Sequence, residues 1–142
     1  RVAQTLAKLI VKDGEGATRL VEIQVEGALS DAEAKQAAYT VANSLLVKTM
    51  IHGAEPNFGR VLAALGRSGI EMDEETTSLA FDGIPVVHNG GVVAGTWEKA
   101  RGAMQQSEVL MQIQLGQGGG SATVWTCDLN EAYVRLNGSY LS

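Results

Sequence analysis

The sequence predicts an α+β domain, because two hydrophobic periods alternate along it. Residues 19–26 alternate with period two: Val21, Ile23 and Val25 face one way, and Leu20, Glu22, Gln24 and Glu26 the other. Apolar residues at helical spacing recur elsewhere, as in Phe58, Val61, Leu62 and Leu65. Asp82-Gly83 between two short apolar runs is a hairpin signal, so some strands must be antiparallel neighbours. One domain spanning residues 1–142 is expected from the length of 142 residues.

Taken in order, Val2, Leu6, Leu9 and Ile10 predict a first helix, stopped by Gly14 and Gly16. The strand over 19–26 follows. Ser30 and Glu33 form a capping-box pattern ahead of an alanine-rich helix to about residue 43. Residues 45–51, partly β-branched, predict a strand. Gly53 to Pro56 form a loop, with Asn57 capping a helix that Gly66 and Gly69 end. Residues 71–76 are acidic and predict an exposed loop. Strands are expected at 79–81 and 84–87, and a helix capped by Thr96 runs to about residue 104. Strands at 109–115 and 122–126 are expected to pair through a hairpin turn at Gly116-Gln117-Gly118-Gly119-Gly120. Asp128 and Glu131 repeat the capping-box pattern before Tyr133 and Val134.

Composition excludes several function classes. Eleven Lys plus Arg against sixteen Asp plus Glu give a formal charge of −5, which argues against nucleic acid as a partner. At 45% hydrophobic residues the chain can form a core. No apolar run approaches the ~18 residues of a membrane span, so no membrane partner is expected. A lone Cys127 with His52 and His88 supplies neither a disulfide framework nor a multi-cysteine metal site. The start at Arg1, without Met, predicts a processed or trimmed terminus.

Individual residues mostly favour plain roles. The glycine cluster at 116–120 lacks the Lys-Ser/Thr ending of a phosphate loop. Ser44, Ser68 and Ser107 lack a nucleophile elbow. His52 and His88 have no metal-ligand spacing, and Cys127 reads as a packed small hydrophobe. Glu71, Asp73, Glu74 and Glu75 read as a solvated run, and Trp97 and Trp125 as core or interface anchors. Arg60 reads as a structural ion pair, with a carboxylate-binding role as the other option. Glu15 sits between Gly14 and Gly16, which let a ligand approach the backbone closely.

Five segments in fixed order carry a wider resemblance. They are Ile10-Val11-Lys12-Asp13-Gly14-Glu15-Gly16-Ala17-Thr18, Ala42-Asn43-Ser44-Leu45-Leu46-Val47-Lys48-Thr49, Pro56-Asn57-Phe58-Gly59-Arg60, Trp125-Thr126-Cys127-Asp128-Leu129 and Tyr133-Val134-Arg135-Leu136-Asn137. Together they resemble the carboxy-terminal part of the second chain of the ornithine acetyltransferase (glutamate N-acetyltransferase) family of arginine biosynthesis. Phe58 stands where that family usually has Trp.

The resemblance implies a precursor that cuts itself in two and exposes a nucleophilic threonine on its second chain. That threonine takes an acetyl group from N-acetylornithine and passes it to glutamate. No threonine here matches the cleavage motif, so the nucleophile is expected outside this chain, which alone should be inactive. Glu15, Asn137 and Ser142 match the family's substrate-binding positions, although the tail before Ser142 is looser than usual. The resemblance further implies no metal and no bound cofactor, with acetyl-CoA as a co-substrate in some members. Expected partners are the upstream alpha chain and the remainder of the beta chain, in a hetero-oligomer. The compartment is cytoplasmic, or organellar in a eukaryote. The competing expectation is a non-catalytic, small-ligand-binding or regulatory α+β module that keeps the fold without the chemistry.

Overall fold

A computed structural model describes residues 19–127. The expected helix over 2–10 and the capping pattern at Asp128 lie outside the described residues. The elements are β1 (Leu20–Ala28), α1 (Asp31–Ala42), α2 (Leu45–His52), α3 (Phe58–Arg67), a 3-10 turn (Glu74–Thr76), β2 (Ser78–Phe81), β3 (Ile84–His88), β4 (Gly91–Val92), α4 (Trp97–Met104), β5 (Glu108–Gln114) and β6 (Gly120–Cys127). The six strands form one mixed sheet in the order β4-β3-β2-β5-β1-β6. Helices and a mixed sheet make this the α+β fold that the sequence predicts.

Alternation decides which face of the sheet is dry. Ile23, Met111 and Phe81 form one cross-strand row, and Val25, Ile113 and Leu79 the next. All six are at most 2% exposed. Helix α1 covers β1 and β6, and α4 covers β2, β3 and β5. Ala34, Ala37 and Ala38 of α1 are fully buried, and their small side chains let the helix lie close to the strands. Helix α3 packs on α1, and α2 on α3. No helix among the described residues is long and apolar enough to cross a membrane.

The structure overturns the strand expected over 45–51. This segment is helix α2, with Val47, Met50 and Ile51 buried at i, i+3 and i+4 spacing. Ser44 starts it: its Oγ accepts from the Val47 N–H at 3.2 Å. The apolar, partly β-branched run suggested a strand, but the cap and the packing against α3 outweigh that propensity. Replacing Ser44 with alanine is expected to cost about 1 kcal/mol, read as a lower urea midpoint at unchanged slope.

The pairing of β5 with β6 is also overturned. Strand β1 lies between them, parallel to β5 and antiparallel to β6. The glycine cluster is therefore a crossover over the end of β1, not a hairpin turn. Gln117 and Gly118 both donate their N–H groups to the Gly27 carbonyl, at 2.6 and 2.9 Å. A Cβ at Gly118 would stand 2.9 Å from the Ala28 carbonyl oxygen, and one at Gly120 would overlap the Ser30 carbonyl. The glycines permit a close backbone crossing.

Smaller differences concern caps. Ser30 Oγ accepts from the Glu33 N–H at 3.2 Å, as a capping box requires. The Glu33 carboxylate, however, accepts from the Glu71 N–H at 3.1 Å and ties the acidic segment to α1. Asn57 and Thr96 hold N-cap positions without a side-chain cap bond. Helix α3 continues through Gly66 to Arg67. The hairpin at Asp82-Gly83 forms as expected, both residues at positive φ (49° and 80°). The acidic residues at 71 and 73–75 are exposed, and residues 74–76 wind into the 3-10 turn.

Candidate functional site

The sheet brings together the two places where the expected substrate residues join the fold. Leu20, the first residue of β1, is the register partner of Cys127, the last of β6. Glu15 precedes Leu20 by a few residues, and Asn137 and Ser142 follow Cys127. The chain carrying Glu15 thus enters beside the point where the chain carrying Asn137 and Ser142 leaves. Glu15, Asn137 and Ser142 themselves lie outside the described residues.

Arginines organise the same region. The Arg19 guanidinium donates Nη1–H to the carbonyls of Ile51 and His52, at 3.4 and 3.1 Å, at the end of α2. A cation there complements the negative end of the helix. Arg60 donates from Nη1 to the Leu46 carbonyl at 3.0 Å. This bond joins the segment 42–49 to the segment 56–60. The contact found for Arg60 is thus a backbone carbonyl, where a structural ion pair was expected. A cavity of about 210 Å3 lies between the two segments, lined by Thr49, Met50, Gly53, Glu55, Asn57 and Arg60.

The remaining sequence candidates take structural positions. Ser44 caps α2, and Ser68 Oγ donates to the Leu65 carbonyl at 2.6 Å at the end of α3. The Ser68 carbonyl also accepts from the Gln36 amide. Ser107 accepts through its carbonyl from the Leu20 N–H at 2.9 Å. Cys127 is free and buried. His52 and His88 are exposed, and His88 Nε2 lies 3.4 Å from Asn89 Nδ2. Trp125 is buried and Trp97 is 44% exposed. No group of three or more His, Cys, Asp or Glu among the described residues could hold a metal ion.

One feature was not singled out from the sequence. The sheet face turned away from the described helices carries a groove of about 280 Å3, lined in part by Gln24, Glu26, Ser78, Ala80, Gln112 and Gln114. Polar alternation in residues 19–26 marks that face. Which strands flank β1 depends on pairing over long sequence distances, which alternation alone does not reveal.

A profile described as the ArgJ family matches residues 1–142, the whole chain. The chain belongs to the ArgJ family. It is 50% identical to an arginine biosynthesis bifunctional protein ArgJ from Chlorobaculum tepidum, over 99% of this chain and 35% of that protein. The Geobacter sulfurreducens ArgJ is 49% identical, over 98% of this chain and 36% of that protein. The chain therefore spans about a third of the length of these relatives. A crystal structure of ArgJ from Bacillus halodurans superposes with a TM-score of 0.83 at 38% identity, covering 93% of this chain and 62% of that one.

Proposed function

We propose that this chain is the substrate-binding carboxy-terminal part of an acetyltransferase that moves an acetyl group from N-acetylornithine to glutamate. The observation that carries the reading is the match to ArgJ proteins along the whole chain, at up to 50% identity. The pairing of Leu20 with Cys127 is consistent with it, because the two ends of the described chain lie side by side.

The chemistry divides into two acyl transfers. A threonine hydroxyl outside this chain attacks the acetyl amide of N-acetylornithine. An ester forms, the amide C–N bond breaks, and ornithine leaves with a proton on its amine. The glutamate amine then attacks the ester, releasing N-acetylglutamate and restoring the hydroxyl. Each tetrahedral intermediate requires oxyanion donors, also outside this chain. Glu15 holds a substrate ammonium, while the Asn137 amide and Ser142 hydroxyl bind a substrate carboxylate or amide. Acetyl-CoA is an alternative donor in this scheme.

The partners are the upstream chain and the rest of the second chain of one self-cleaving precursor. The relative lengths support this. This chain covers 62% of the crystallised B. halodurans chain but 35% of the C. tepidum protein. The crystallised chain is accordingly little more than half the length of that protein, as division of a precursor would give.

The test is to incubate the full-length protein with N-acetylornithine, without glutamate, and to map its peptides by mass spectrometry. The expected result is one acetyl group on a threonine that begins a chain, discharged when glutamate is added. An unmodified protein that still exchanges acetyl groups would overturn the scheme.

A further inference from the structure

Helix α2 begins with two leucines that lie outside the core. Leu45 is 77% exposed and Leu46 53%, while Val47, Met50 and Ile51 of the same helix are buried. A single exposed leucine is ordinary, but two in succession on one turn form a patch. That turn is held in place by side chains. Ser44 Oγ accepts from the Val47 N–H, as described above. Thr49 Oγ1 donates to the Leu45 carbonyl at 2.8 Å, and Arg60 Nη1 to the Leu46 carbonyl at 3.0 Å. Arg60 thereby ties the first turn of α2 to α3, and its guanidinium has further N–H groups to offer. Asn57, exposed at the start of α3, adds a side-chain amide beside it. An apolar centre with a polar, arginine-bearing rim is the anatomy of a protein interface. Fixing it in advance lowers the entropy lost when a partner binds.

Position selects the occupant. Arg19, where the described chain begins, bonds the carbonyls of Ile51 and His52 at the other end of α2. The eight residues of α2 span roughly 12 Å. The chain ahead of Arg19 therefore starts about one short helix from the two leucines, a gap that roughly four extended residues cross. This chain spans about a third of the length of its ArgJ relatives, so most of such a protein lies outside it. Val92 is also exposed, but it sits on the edge strand β4, four strands from β1, with no such link to the incoming chain. We propose that Leu45 and Leu46, with Thr49, Asn57 and Arg60 around them, form the surface on which the part of the enzyme upstream of this chain docks. The docking segment presents apolar side chains to the leucines and an acceptor oxygen to the Arg60 guanidinium. This rests on the reading of the chain as the carboxy-terminal part of a longer enzyme, and it names the surface where the two parts join.

The test introduces the photo-crosslinking residue p-benzoylphenylalanine in place of Leu45 in the full-length protein and maps the products by mass spectrometry. Irradiation is expected to join position 45 to a peptide from upstream of this chain in the same molecule. Mixing isotopically light and heavy protein tells such a crosslink from one to a second copy. Crosslinks only to peptides of this chain, a crosslink to a second copy, or none at all would overturn the proposal. A second measurement is urea unfolding of the full-length protein carrying Leu45→Asp and Leu46→Asp. Aspartate in the first turn favours the helix itself, so a lower midpoint reports on the surface and not on α2. The expected fall is about 0.5 M urea or more. An unchanged midpoint would also overturn the proposal, because leucines left in water tolerate the change. Acetyl transfer is assayed on the unsubstituted protein. Transfer without an upstream crosslink defeats this inference alone, and an upstream crosslink without transfer defeats the acetyltransferase reading alone.

Discussion

Replacing Gly120 with alanine should destabilise the fold by about 3 kcal/mol or more, at the severe end for a single methyl group. The added Cβ would overlap the Ser30 carbonyl carbon and oxygen and stand 2.8 Å from the Ser30 Cα. These are backbone atoms, so no side chain can rotate away. Ser30 is also the N-cap of α1, and the neighbouring Asp31 Oδ1 accepts from the Ser121 N–H at 2.9 Å. Pushing β6 from Ser30 strains the cap and that bond together, where α1 covers the core of β1 and β6. Gly119→Ala is the matched control, since a Cβ there meets nothing within 4 Å. Urea unfolding of the two variants should give a large loss for Gly120→Ala and almost none for Gly119→Ala. Equal midpoints would show that the crossover is looser than its hydrogen bonds indicate.

The largest expected effect on activity comes from Glu15→Gln in the full-length protein. If Glu15 holds a substrate ammonium, the substitution keeps size and a hydrogen-bonding oxygen but removes the charge. Losing a desolvated charge-assisted contact of this kind corresponds to about a hundredfold or more in kcat/KM for acetyl transfer. The unfolding midpoint should change little, because glutamine keeps the size of glutamate. Unchanged kinetics would remove Glu15 from the site. A kinetic loss matched by a lower midpoint would make its role structural.

Local signals were legible where both period and cap agreed. The alternation of Val21, Ile23 and Val25 gave β1 and its dry face, and Asp82-Gly83 gave the β2–β3 hairpin. Helix α2 was misread because Val47, Thr49 and Ile51 satisfy a strand pattern as well as a helix pattern over so short a run. The adjacency of β5 and β6 was misread for a different reason. A glycine-rich link between two strands looks the same whether they pair or admit a third strand, and the strand admitted comes from the far end of the described chain. The groove shares this limit, since its polar residues sit on β1, β2 and β5. Glu15, Asn137 and Ser142 rest on family resemblance alone. Nothing in their spacing relates one end of the chain to the other.

The insertion of β1 between β5 and β6 also bears on how the chain folds. Among the described residues, the first strand made has as its two neighbours the last two strands made. During synthesis β1 must wait for both of these neighbours until nearly everything in the described region has left the ribosome. Contacts this distant in sequence make closure of the sheet slow and late. The alanine-rich α1, next in order and packed directly on β1, is the element best placed to shield its apolar face meanwhile. A chain interrupted before β6 would present β1 as a bare edge, available to strands of other molecules.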